Sequence, residues 1–92
     1  MFNSLTGRIT YKGNGIVHLL NNGIEWALFC SIPSLSELPE MGEEGKLFVY
    51  LYHKEDQMKL FGFSTEAERQ IFLDLLKVSG IGSRLALKIL SG

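Results

Sequence analysis

Residues 58–76, MKLFGFSTEAERQIFLDLL, contain the point at which the chain changes from a strand pattern to a helix pattern. Up to Phe63 the apolar residues form short runs, and beyond it they recur at helical spacing from Ile71 to Val78. Thr65 and Glu68 predict a capping box, in which each side chain accepts a hydrogen bond from the other residue's backbone N–H. The stretch therefore predicts a β domain over residues 1–63 and a helical segment over residues 64–92.

Upstream of this point, apolar runs rich in β-branched and aromatic residues are separated by glycine, asparagine and proline, which favour turns. The predicted strands are Leu5–Tyr11, Ile16–Leu20, Ile24–Ile32, Lys46–His53 and Met58–Phe63. Leu35 and Leu38 are spaced for a short helix between the third and fourth strands. This order predicts a five-stranded OB-fold barrel, and other small barrels fit the pattern almost as well.

Downstream, Ser79-Gly80-Ile81-Gly82 interrupts the helical pattern, and a second helix is predicted with Ser83 as its N-cap. Residues 75–90, LLKVSGIGSRLALKIL, resemble a helix-hairpin-helix motif, with Ala86 four residues after the second glycine. We expect the glycines to let the backbone approach a phosphate, Gly82 to require glycine dihedrals, and the helix N-terminus to supply free N–H groups. The predicted DNA phosphate-binding residues are Ser79, Gly80, Ile81, Gly82, Ser83, Arg84, Leu85 and Lys88.

Composition limits the possible functions of the 92-residue chain. Nine basic and ten acidic side chains give a net charge of −1, so attraction to nucleic acid must be local, and residues 75–92 do carry three cations and no acid. A single cysteine excludes an internal disulfide and a zinc-finger type of site. No apolar run reaches the ~20 residues that span a bilayer, and the N-terminus lacks a secretory signal pattern. We therefore expect a soluble, cytoplasmic protein.

Other polar residues give weaker signals. Glu55 and Asp56 lie between the last two predicted strands, where adjacent acids are usually solvated turn residues. His18 and His53 have no recognisable partner, so the sequence predicts neither catalytic nor metal-binding residues. The sequence lacks a Gly-x-x-x-x-Gly-Lys loop, so we expect no nucleotide hydrolysis. Five aromatic residues could stack on bases or pack as core: Trp26, Phe29, Phe48, Tyr50 and Tyr52.

Several segments, taken in order, resemble the RuvA family of bacterial subunits that recognise Holliday junctions. They are Gly7-Arg8-Ile9, Glu37-Leu38-Pro39, Glu55-Asp56, Leu60-Phe61-Gly62-Phe63, Glu68-Arg69, Gly80-Ile81-Gly82, Leu85-Ala86-Leu87 and Ile89-Leu90-Ser91-Gly92. The resemblance covers all 92 residues. Ser83-Arg84 departs mildly from the family, which often has Pro-Lys there, and keeps one positive side chain.

The resemblance implies an OB-fold domain over residues 1–63 that assembles a homotetramer, and a helix-hairpin-helix DNA-binding domain that begins at residue 64. It implies that Glu55 and Asp56 form an acidic pin at the junction centre, with Lys54 as an auxiliary DNA contact. The family acts in recombination, DNA repair and the SOS response of the bacterial cytoplasm. Its partners are junction DNA held open and square, a RuvB-type AAA+ ATPase and a RuvC-type resolvase, with no membrane.

The resemblance also implies a non-catalytic subunit without a cofactor, because the partner motor binds ATP and Mg²⁺. The family is about twice as long as this chain. We therefore expect a fragment that lacks the second hairpin motif, the linker and the C-terminal domain that contacts the ATPase. Two alternatives remain open from the residues alone: a module that binds DNA non-specifically, or single strands or RNA, and a fragment of a DNA repair nuclease or glycosylase.

Overall fold

The computed structural model describes residues 2–92, which form a closed five-stranded barrel and three helices. The strand order is β1-β2-β3-β5-β4, and β4 pairs with β1 to close the barrel. All strand pairs are antiparallel except β3 with β5. The elements are β1 (Ser4–Gly13), β2 (Ile16–Asn21), β3 (Ile24–Cys30), α1 (Ile32–Glu37), β4 (Glu44–Lys54), β5 (Gln57–Phe63), α2 (Glu66–Leu76) and α3 (Ser83–Leu90). The predicted fold class, an OB-fold followed by a helical pair, is confirmed.

Two Asn-Gly turns set the register of the first three strands. Asn14-Gly15 joins β1 to β2, and Asn22-Gly23 joins β2 to β3. All four residues have positive φ, with Asn14 at 55° and Asn22 at 48°. This is the geometry of tight hairpin turns whose twist matches that of the strands. The turn residues therefore explain why these strand boundaries were predictable to within a few residues.

The barrel interior is an apolar core. Fully buried members come from four of the strands and include Ile9, Val17, Leu19, Leu28 and Leu47. Cys30 belongs to this core, as expected for a small buried hydrophobe. Burial, and secondarily the charge of Glu68, raises the pKa of Cys30 to about 12, so the thiol stays protonated at neutral pH.

A second core of aromatic residues attaches the two C-terminal helices to the barrel. The Phe72 ring of α2 lies 5.1 Å from Phe61 and 5.0 Å from Phe63 of β5, between ring centroids. Ala86 of α3 is fully buried in the same cluster. Tyr50 and Tyr52 pack against it, which favours core packing over base stacking for these two rings. The division into domains at residues 63 and 64 remains a prediction, and in this chain a common core spans that boundary.

Several predicted ends of elements are wrong by a few residues. The third strand ends at Cys30 rather than Ile32, because the Ser31 hydroxyl caps α1 and accepts from the Ser34 N–H at 3.2 Å. The predicted short helix is confirmed, but Leu38 is its C-cap and not a helical residue. Helix α2 ends at Leu76, two residues before the end of the apolar pattern.

The capping box at α2 is half confirmed. The Thr65 hydroxyl accepts from the Glu68 N–H at 3.1 Å. The reciprocal bond is absent among the described residues, because the Glu68 carboxylate instead accepts from the Ser31 hydroxyl at 2.7 Å and from the Ser34 hydroxyl. Glu68 therefore connects α2 to the buried start of α1.

Helix α1 also bonds to the end of α3. The Ile32 N–H donates to the Ser91 hydroxyl at 3.1 Å. Together with the Glu68 bonds, this contact links both C-terminal helices to α1.

Within residues 2–92, every helix is too short or too polar to cross a membrane.

Candidate nucleic-acid interface

The loop between α2 and α3 is tightly folded and anchored by one apolar side chain. The Val78 N–H donates to the Leu75 carbonyl at 3.0 Å, and the Ile81 N–H donates to the Val78 carbonyl at 3.1 Å. Gly80 has a φ of +87°, a left-handed conformation that a side chain would strain. Ile81 packs against the cluster that contains Phe72 of α2 and Ala86 of α3, and so anchors the loop to both helices.

Two expectations about the start of α3 are wrong. Gly82 has φ −93° and ψ 179°, an extended conformation open to any residue, so the dihedral requirement belongs to Gly80. Gly82 rather than Ser83 is the N-cap, and it makes no side-chain capping bond. The first helical N–H with a backbone partner is that of Ala86, which donates to the Gly82 carbonyl at 3.0 Å. The N–H groups of residues 83–85 have no partner among residues 2–92 and are free to bind an anion.

The space in front of this loop is open. A Cβ atom built on Gly80 or Gly82 would meet no other atom within 4 Å. Ser79, Arg84 and Leu85 are exposed beside it, and Lys88 lies one turn further along α3. Within the described part of the chain, the side chains of Arg84 and Lys88 form no salt bridge and no hydrogen bond. The loop therefore offers unpaired backbone N–H donors, room for a phosphate and the two unpaired basic side chains of Arg84 and Lys88.

Glu55 and Asp56 form the two-residue turn between β4 and β5, where Lys54 pairs with Gln57. Both carboxylates are exposed. The Lys54 ammonium lies 5.7 Å from the centre of the Tyr52 ring. The predicted pin residues and the predicted auxiliary lysine therefore occupy one exposed hairpin tip, which we call the acidic turn (residues 54–56).

A cleft of about 540 Å³ joins this hairpin to the start of α3. The barrel contributes Tyr52, Gln57 and Lys59 to its walls, and the helical pair contributes residues 82–85 and Lys88. Gln57 directly follows the acidic turn in the chain. The structure thus brings residues 82–85 and Lys88 of the predicted phosphate-binding set to the cleft that Gln57, the neighbour of the predicted pin, also lines, although their DNA contacts remain predictions.

Sequence reasoning missed Lys59. It lies on β5 opposite Tyr52, and its side chain enters the cleft that Arg84 and Lys88 also line. A signal existed, because Gln57 and Lys59 alternate on one strand and must share a face. Nothing in the linear sequence, however, indicates that α3 packs beside that face.

Residues 1–62 match the model of a family described as the RuvA N terminal domain. A protein of Treponema denticola, named Holliday junction branch migration complex subunit RuvA, is 52% identical over 92 residues, which are 100% of this chain and 46% of that protein. A protein of the same name in Acetivibrio thermocellus is 38% identical over 91 residues, which are 99% of this chain and 45% of that protein. Another in Treponema pallidum is 44% identical over 91 residues, which are 99% of this chain and 40% of that protein. The chain therefore spans about half the length of the curated relatives it matches.

Proposed function

The chain belongs to the RuvA family, and from this membership we propose that it is a DNA-binding subunit that recognises four-way Holliday junctions. In this proposal it holds the junction open and square and supports ATP-driven branch migration by a RuvB-type motor, in recombination and repair. The names of its relatives support the proposal.

One observation carries the proposal at the level of this chain. The cleft of about 540 Å³ between β4–β5 and α3 lies beside free helical N–H groups, and its barrel wall continues into the acidic turn. A duplex arm bound at the loop is thereby directed toward two exposed carboxylates. Attraction for the arm and repulsion at its end suit a branched DNA better than a continuous duplex.

The proposed chemistry is binding and not catalysis. The N–H groups of residues 83–85 donate to phosphate oxygens, and Arg84 and Lys88 add positive charge beside them. Phosphate contacts of this kind position DNA without reading its bases, so junctions of any sequence are substrates. Glu55 and Asp56 repel the phosphates that crowd the junction centre, which keeps the strands apart.

The proposed assembly is a homotetramer that surrounds one junction, in the bacterial cytoplasm. The RuvB-type motor binds ATP and Mg²⁺, so this subunit needs no cofactor. We propose that the motor contacts a domain found in the longer relatives, and that a RuvC-type resolvase acts on the same junction.

Competition binding tests the proposed function. The chain is titrated with a labelled immobile four-way junction at low salt, where phosphate contacts are strongest, and unlabelled junction, duplex or single strand of equal length is added. We expect the junction to compete best. Equal competition by duplex would indicate non-specific binding, and better competition by single strands would indicate a single-strand OB module. Either result would contradict the proposal.

A further inference from the structure

Lys59 of the barrel faces the same space as the cations of α3. Its side chain lines the cleft of about 540 Å³ described above, and also a neighbouring cleft of about 610 Å³ between β3, β5 and α3. Arg84 and Lys88 line both clefts as well. Three cations, one from the barrel and two from α3, therefore line the same two clefts.

No acidic side chain among residues 2–92 lines either cleft. Within the same described residues, the only salt bridges are Arg69–Glu66 and Lys77–Asp74, so the three cations have no internal partner. Like charges that converge in this way repel one another unless an anion lies among them. The free protein thus carries an arrangement whose charge an external polyanion would compensate.

The position of Lys59 identifies the kind of anion. On β5, Gln57 directly follows the acidic turn and Lys59 lies two residues further along, while Gly82 and the first turn of α3 line the opposite side of the cleft. A DNA backbone that crosses this cleft from the start of α3 toward the acidic turn would run beside Lys59. A lysine ammonium suits a single phosphate as a point charge.

We propose that Lys59 binds a DNA backbone phosphate on the same arm that the loop holds, between the loop and the acidic turn. The barrel then contributes to DNA binding directly, besides carrying the acidic turn. This inference rests on the proposed function, since the direction of the arm follows from it.

The test compares Lys59→Gln with Lys46→Gln. Lys46 is an equally charged control near the start of β4, where it lies 5.0 Å over the Phe48 ring and lines neither cleft. The affinity of the chain for a four-way junction and for a duplex is measured over a range of salt concentrations. For Lys59→Gln we expect the negative slope of log affinity against log salt to become less steep by about one per protomer bound, and for Lys46→Gln we expect no change. Equal slopes in the two variants would overturn the inference.

A second measurement uses the unmodified chain and does not depend on how a variant folds. Lysines are acetylated with and without bound junction, and the modified sites are read by mass spectrometry. We expect DNA to protect Lys59 and Lys88 and to leave Lys46 reactive. Unprotected Lys59 beside protected Lys88 would overturn the inference while leaving the proposed function intact. If the wild-type chain bound junction and duplex equally well, the proposed function would be contradicted instead. The salt dependence of duplex affinity in the Lys59→Gln variant would then still test the role of Lys59.

Discussion

At the scale of single residues, a substitution at Gly82 can stabilise α3 and at the same time weaken its proposed binding of phosphate. Gly82→Asp would place a carboxylate on the free N–H groups of residues 83–85, which stabilises the helix by ~0.5 kcal/mol. The same carboxylate would repel a phosphate by ~1–4 kcal/mol. We therefore expect a slightly higher free energy of unfolding together with roughly tenfold weaker DNA binding, checked by chemical denaturation and by junction titration.

Gly82→Asn is the matched control, because asparagine caps as well as aspartate and carries no charge. Binding that is equally weak in both variants would show that bulk, and not charge, blocks the site. Unchanged binding in the aspartate variant would mean that α3 does not bind phosphate at its N-terminus.

The acidic turn supports a second prediction at this scale. Glu55→Gln combined with Asp56→Asn removes repulsion of about 1 kcal/mol per near neighbour in water and more at lower dielectric. We expect duplex affinity to rise more than junction affinity, since the carboxylates discourage a continuous duplex from crossing the surface. The ratio of the two dissociation constants is the measurement.

Glu40→Gln combined with Glu44→Gln serves as the control, because it removes the same charge near the opposite end of β4. If the Glu55 and Asp56 double variant kept the wild-type preference for junction over duplex, Glu55 and Asp56 would be ordinary turn residues with no role in that preference.

At the scale of elements, the hydrogen bonds of Glu68 help to hold α2 against the start of α1. Glu68→Ala would leave the Ser31 and Ser34 hydroxyls, both in fully buried residues, without their carboxylate partner. Hydrogen bonds to a charged group contribute ~1.5–3 kcal/mol, so we expect the free energy of unfolding to fall by about that amount.

Glu66→Ala is the comparison for Glu68→Ala, since Glu66 lies on the same helix and its exposed carboxylate makes only an ion pair with Arg69 at 3.4 Å. Such pairs contribute ~0–1 kcal/mol. Similar losses in the two variants, measured by urea denaturation, would show that the bonds between α1 and α2 do not stabilise the fold.

The elements themselves were predictable where local chemistry determines them. Asn-Gly turns and alternating apolar strands predicted the barrel, and Thr65 predicted the start of α2. The errors arise where tertiary contacts compete with local ones. Glu68 fits the capping box pattern, but Ser31 and Ser34 are closer partners once the barrel has folded. Ser83 has the right side chain for an N-cap, but the turn at Gly80 places Gly82 in that position.

At the scale of the whole molecule, the sequence indicated each part of the candidate site but not how the parts lie together. Glycine spacing indicated the loop, and the resemblance to a family indicated the acidic turn. Their common cleft depends on Phe72 packing against Phe61 and Phe63, a contact between segments with no sequence signal of their pairing. Lys59 was missed for the same reason, because only that packing brings it beside Arg84.

The proposal that the loop and the acidic turn act together on one DNA junction is tested by fluorescence energy transfer between dyes on the arms of an immobile four-way junction. Magnesium is included so that the free junction folds into pairs of stacked arms with unequal distances. On adding the chain, we expect all neighbouring arms to become equally spaced, as in an open square. Binding that leaves the arm distances unequal, as in the free junction, would contradict the proposal.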